Sequence, residues 1–252
     1  MRNMVFAAAV AAVFGMGSAS AADLSGGVKD TMFSEPATVW SGAYLGISGG
    51  GGIVMTNSGE SSANICYSAA ACGDFQGIGG IAGGTLGYNW QVRNLVLGFE
   101  GDISWAGLNA RRNISANGSG YDWYMGSNID AIATLRVRTG YAIGANLFYV
   151  TGGAAFVDTK HEAIANASAC NTNDSSCSDG WRTGFTVGAG YEAMITSNLS
   201  LKGEYLYIGT PTDTLVNSIN HQDTYLFSDN AQIARIGLNY RFGASSGYQP
   251  LK

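Results

Sequence analysis

The sequence predicts an all-β fold, an eight-stranded antiparallel up-and-down transmembrane β-barrel with short periplasmic turns and four long extracellular loops. Three observations predict it. Charged residues are 12% of the chain, about half the usual share, while glycine reaches 37 of 252 residues and proline only 3. A motif of two small or apolar residues and a tyrosine recurs at Leu86-Gly87-Tyr88, Thr139-Gly140-Tyr141, Ala189-Gly190-Tyr191 and Leu238-Asn239-Tyr240, the tyrosines lying 53, 50 and 49 residues apart. Beyond the N-terminus no segment reads as a spanning helix: the best candidate, Thr139 to Val157, is broken by Gly140, Gly144, Gly152 and Gly153, with Gly144-Ala145-Asn146 reading as a turn. A bilayer admits only helices and closed barrels, so an apolar chain without such helices points to a barrel.

The elements follow in chain order. Arg2, the uncharged run Met4 to Met16 and the small residues Ser18 to Ala21 have the pattern of a secretory signal peptide, residues 1–22, cleaved after Ala21 or Ala22. Its removal takes the formal charge from −5 to −6. Such an acidic chain is a poor partner for duplex nucleic acid. Residues 23–41 form a periplasmic leader, 42–242 the barrel and 243–252 a periplasmic tail.

Strands are expected near Gly42 to Val54, Ile78 to Trp90, Leu95 to Trp105, Ile129 to Tyr141, Leu147 to Val157, Trp181 to Ala193, Leu199 to Ile208 and Ile233 to Phe242. Each supplies the roughly 9–11 tilted residues that cross a bilayer. Short turns fall at Gln91 to Asn94, Ala142 to Asn146 and Ile195 to Asn198. Long polar loops fall at Met55 to Gly77, Ala106 to Asn128, Asp158 to Gly180 and Gly209 to Gln232. Bacterial barrels keep short turns in the periplasm, which places both termini there and the protein in the outer membrane.

Alternation assigns the faces. In the last strand Ala234, Ile236, Leu238, Tyr240 and Phe242 face lipid while Arg235, Gly237, Asn239 and Arg241 face inward. The fourth strand turns Leu135 and Val137 outward with Arg136 and Arg138 inward, and the sixth turns Phe185 and Val187 outward with Arg182 and Glu192 inward. Glu100 and Asp102 of the third strand and Lys202 and Glu204 of the seventh join them. Eight strands enclose only enough room for their own side chains, so these ten charges are expected to pair in a buried network that fills the lumen. The motif tyrosines, with Tyr44, Trp90 and Tyr149, are expected to form an aromatic girdle at one interface, and Trp105 and Trp181 to mark the other.

Little in the sequence carries chemistry. Cys66 and Cys72 share the first long loop, Cys170 and Cys177 the third. Four cysteines allow three connectivities, and the oxidising route outward favours disulfides, for which local pairing is expected. A zinc site would need the thiols of two loops to meet. His161 and His221 fall in predicted loops with no serine motif, and read as solvated. Gly79 to Gly84 lacks the lysine of a phosphate cradle and sits in a strand. No catalytic residue, metal site or cofactor is assigned.

Several segments carry a family resemblance: Gly42-Ala43-Tyr44-Leu45-Gly46, Leu86-Gly87-Tyr88-Asn89-Trp90-Gln91, Gly98-Phe99-Glu100-Gly101-Asp102, Tyr149 to Ala155, Asn198 to Tyr207 and Ile236 to Phe242. They resemble the alphaproteobacterial family of small outer-membrane β-barrels, which includes outer-membrane immunogenic proteins, haemin-binding proteins and porin-like barrels. The resemblance covers the mature chain, including the Lys29 to Trp40 leader. It implies that Tyr240 and Phe242 act as the signal read by the barrel-assembly machinery, although ten residues follow Phe242 here. It also implies a structural and surface-interaction role, with outer-membrane lipids, lipopolysaccharide and host surface molecules as partners. A narrow channel for small solutes is the alternative. Surface haem binding, with His161 or His221 as an axial ligand, is a second.

Overall fold

The computed structural model describes residues 40–60, 73–115, 122–165, 176–216 and 224–242. The signal peptide, most of the leader, the tail, His221, Cys66, Cys72 and Cys170 lie outside the described residues. No helix among them is long and apolar enough to cross a membrane, which says nothing against crossing with strands.

The described chain is antiparallel β-sheet throughout. The strands are β1 Gly42–Glu60, β2 Gly73–Val92, β3 Leu95–Ser115, β4 Asp122–Ile143, β5 Asn146–Ala165, β6 Ser176–Met194, β7 Leu199–Gly209, β8 Asp213–Val216 and β9 Thr224–Arg241. Each pairs with the next up to β7, which pairs with β9, and β9 pairs back onto β1, with Tyr44 opposite Arg241 and Glu60 opposite Tyr225. The sheet is therefore a closed barrel. Nine strands make eight staves, because β7 and β8 pair with successive stretches of β9 and share one position in the wall. Pro211 lies between them, and proline cannot donate to a ladder.

The short connections sit where the sequence places them. Arg93 adopts φ 56° in the turn from β2 to β3, and Gly144 φ 58° in the turn from β4 to β5. The predicted loops do not all hold. β1 continues to Glu60, β3 to Ser115 and β5 to Ala165, while β4 starts at Asp122, β6 at Ser176 and β9 at Thr224, all inside segments read as loops. At about 3.3 Å per residue, strands of 19–22 residues overrun a bilayer by roughly half their length.

The ladders carry one irregularity in common. β4 bulges at Asp130, between Ile129 and Ala131, opposite Ala106 and Gly107 of β3 and the Asp158–Thr159 step of β5. The bulge reverses which side chains of β4 face inward. Arg136, Thr134 and Ile132 are buried on the near side, and Ile129, Ser127 and Met125 on the far side.

Candidate functional site

The interior is filled in layers from the end with the short turns to the end with the long connections. At the turn end Trp40 closes the barrel. Its backbone N–H donates to Gln91 Oε1 at 2.8 Å, its indole N–H to the Gly144 carbonyl at 3.3 Å, and its ring packs with Val96, Ala142, Leu147, Tyr149 and Met194. Arg241 lies 5.6 Å over that ring and donates to the Ser197 carbonyl at 3.0 Å.

The next layer is ionic. Four carboxylates, Glu100, Asp102, Glu192 and Glu204, meet four cations, Arg136, Arg138, Lys202 and Arg235, all buried. Arg136 contacts Glu100, and reaches Asp102 at 2.9 Å and Glu204 at 3.2 Å. Arg235 bridges Asp102 at 3.0 Å and Glu204 at 2.6 Å, and Lys202 sits 3.2 Å from Glu100. Arg138 pairs with Glu192 at 3.0 Å. Neutral groups use the remaining acceptors: Thr134 donates to Asp102, Ser200 and Asn239 to Glu192, Tyr44 to Glu100 at 2.7 Å and Tyr149 to Glu204 at 2.8 Å. A buried charge is tolerable when it is both paired and hydrogen-bonded, and equal numbers of each sign leave no net charge to desolvate.

Tyr44 and Tyr149 therefore belong to the lumen and not to the interfacial girdle expected for them. Their rings flank Arg138, 4.8 and 5.1 Å from its guanidinium. Each lies over a cross-strand glycine of the repeated motif: Tyr44 is opposite Gly87 and Tyr149 opposite Gly190, where a Cβ would overlap the ring. The motif thus does two jobs, its glycine making room inside for a ring from the preceding strand while its tyrosine, Tyr88 or Tyr191, turns outward. Two of the ten charges expected in the network also lie elsewhere, Arg241 beside Trp40 and Arg182 near the other mouth.

Beyond the ions the lumen becomes apolar. Ile132, Leu206 and Ile233 are followed by Val54, Leu108, Ile129, Val157 and Ile208 in one continuous buried cluster. At the same level the outer face becomes polar, with exposed Asn109 and Arg111 on β3 and Lys160 on β5, which pairs with Asp130 at 2.5 Å.

A second polar group lies at the end of this cluster. His161, read from the sequence as a solvated loop residue, is on β5, points into the lumen and is 2% exposed. Its Nε2 lies 2.7 Å from Asp229 Oδ2 and its Nδ1 3.1 Å from Asp213 Oδ2, and its ring stacks on Phe227. Thr56 and Ser127 donate to the other Asp229 oxygen, and Arg182 donates to Asp213 at 2.5 Å. With both ring nitrogens so engaged, His161 has none to offer a haem iron. The alternation that marks it was legible: Val157, Thr159, His161 and Ala163 face inward, Asp158, Lys160 and Glu162 outward. Cys177, the one cysteine among the described residues, is disulfide-bonded. Tyr240 and Phe242 sit edge to face, ring centres 5.2 Å apart, on the outer wall at the end of β9.

Residues 8–242 match the family model for the outer membrane protein β-barrel domain. The chain is 34% identical over 247 residues to the 31 kDa outer-membrane immunogenic protein of Brucella melitensis, covering 94% of this chain and 99% of that protein. It is 30% identical over 176 residues to a 22 kDa outer membrane protein of Rhizobium leguminosarum, covering 69% and 65%. Among solved structures it overlays on the outer membrane protein OprG of Pseudomonas aeruginosa with a TM-score of 0.44 at 12% identity, covering 82% and 99%, a likeness too distant to carry argument.

Proposed function

The chain belongs to the outer membrane β-barrel protein family, and on that premise we propose that it is a closed barrel acting through the surface it presents outside the cell. The long-connection end then faces outward, both termini are periplasmic, and the strand extensions form a rigid stalk that lifts the connecting segments above lipopolysaccharide. Specificity toward host surfaces resides in those segments, as it commonly does in loops held on a rigid scaffold. Cys177 pairs with Cys170 in this reading, stapling one of them.

The observation that carries the proposal is the apolar layer across the lumen. Ions crossing the barrel have to shed water among Leu108, Ile129, Val157 and Ile208, packed at 0–1% exposure, between two polar zones. Transferring a bare charge into such surroundings costs many kcal/mol. The named relatives are called immunogenic, which fits exposure at the cell surface. Single-channel recording of the refolded barrel in a planar bilayer tests the reading. The expected result is electrical silence in a barrel shown to be folded, and steady currents would replace the proposal with a narrow solute channel.

A further inference from the structure

Above the apolar layer the wall has a seam. β6 pairs with β7 only as far as Phe185, opposite Gly209. Where the stave resumes, β8 pairs with β9 over four residues, Asp213 opposite Phe227 to Val216 opposite Thr224, and among the described residues no ladder joins it to β6. A four-residue strand held along one edge is weak by itself. Two side chains span the seam, and both end on the same oxygen: Asp213 Oδ2 lies 2.5 Å from Arg182 of β6 and 3.1 Å from His161 Nδ1 of β5.

The chemistry of His161 decides how firm this hold is. A neutral imidazole has one N–H, so between two carboxylates one nitrogen must present a lone pair to an anion. The imidazolium donates at both nitrogens and satisfies Asp213 and Asp229 together. The charged and titratable groups around the ring are Asp213 of β8, Asp229 of β9 and Arg182 of β6, with Arg112 half-buried on the lumen face of β3. Thr56 of β1, Ser127 of β4 and Ser178 of β6 are neutral. With the proton, His161 and Arg182 balance the two aspartates. Without it, one imidazole nitrogen turns a lone pair to a carboxylate and those four residues carry one net negative charge, at a site beside Arg112 where the Arg182 and Asp213 side chains are 23% and 21% exposed.

We propose that His161 is a pH-sensitive clasp, which as imidazolium ties β5 to β8 and β9 across the outer mouth and on deprotonation loosens β8, leaving Arg182 as its remaining tie across the seam. The hold is complete while the ring carries both protons and weakens when it carries one. Burial raises the Asp213 carboxyl, but hydrogen bonds from Arg182 and His161 outweigh it and hold the group below the usual carboxylate range, so mild acid leaves the clasp closed. The inference stands apart from the closed-lumen reading, because it concerns only the mouth.

Hydrogen exchange on the refolded full chain in lipid nanodiscs tests it, at about pH 6 and about pH 8.5, on either side of the usual histidine range. Rates are corrected for the intrinsic pH dependence of exchange. The expected result is that protection of segment 210–216 falls about tenfold or more at the higher pH, as loss of one charge-assisted hydrogen bond implies, while segment 95–105 is unchanged. His161→Gln should be loosened at both values, and His221→Gln should keep the step. Equal protection of segment 210–216 at both values in the unmodified chain overturns the proposal, as does a step that survives in His161→Gln. Should that variant not fold, Asp213→Asn, which removes the anion, must shrink the step or the proposal fails.

Discussion

The two halves of this barrel use one ladder and opposite polarity. Near the turn end β3 turns Leu97, Phe99 and Ile103 outward and Glu100 and Asp102 inward, whereas beyond the bulge the same strand turns Asn109 and Arg111 outward and Leu108 and Ala110 inward. β5 changes in the same way, from exposed Phe148 and Val150 over buried Tyr149 and Thr151 to outward Asp158 and Lys160 over buried Val157 and Thr159. The exterior dictates the difference. Against lipid the outer face must be apolar, and polar groups are left to pair inside. Against water the demand reverses, and the strands behave as a soluble barrel with an apolar core. We infer that the level at which the pattern inverts is the edge of the membrane; Trp105 and Trp181, both exposed, lie at that level.

The largest single loss is expected from the ionic half. Arg136→Met removes the cation that faces Glu100, Asp102 and Glu204, and leaves buried carboxylates short of a partner. A cost of about 3–5 kcal/mol is expected from breaking such a pair on one side. The urea midpoint of the barrel in lipid vesicles, followed by tryptophan fluorescence, measures it. A loss below about 1 kcal/mol would mean that water reaches the network and that this half of the lumen is open.

In the apolar half the corresponding change is Leu108→Ala, at a residue with no measurable exposure. It should cost about 2–4 kcal/mol, the transfer term plus the cavity left behind. The same unfolding measurement applies. A negligible effect would show that the layer is loosely packed, and would weaken the case for a lumen closed there.

These halves were not equally legible in the sequence. Apolar-out alternation located all eight staves within the membrane and placed Glu100, Arg136, Lys202, Glu204 and Arg235 on one face, because charge on a strand of that kind has one place to go. The same template failed past the bulge. A stretch such as Asp158 to Glu162, with charges at 158, 160 and 162, reads as a polar loop to a rule that expects lipid outside. With water outside it is an ordinary amphipathic strand, and His161 falls on its buried face. Tyr44 and Tyr149 were misplaced for another reason. Aromatic composition alone does not separate an interfacial tyrosine from one whose hydroxyl serves a buried carboxylate, and the cross-strand glycine that admits the ring becomes visible only with the register. In the sequence Trp40 stands only as the last residue of the Lys29 to Trp40 leader, with no signal that it closes the barrel.

The smallest effect expected is also the one that tests the contrast most directly. Lys160 and Asp130 form an ion pair at 2.5 Å, comparable in length with the contacts of Arg235 in the lumen, but their side chains are 49% and 40% exposed. In water, ordering two mobile side chains and stripping their hydration offsets nearly all of the attraction. Lys160→Ala should therefore leave the urea midpoint unchanged within error, in vesicles and in detergent alike. A clear loss in both media would mean that the extension is covered by some other part of the chain. A loss confined to vesicles would place Lys160 against the lipid headgroups, and would move the inferred membrane edge outward along the barrel. Ion pairs of the same chemistry in one barrel would then differ in weight only through what surrounds them, which is the physical content of the inversion.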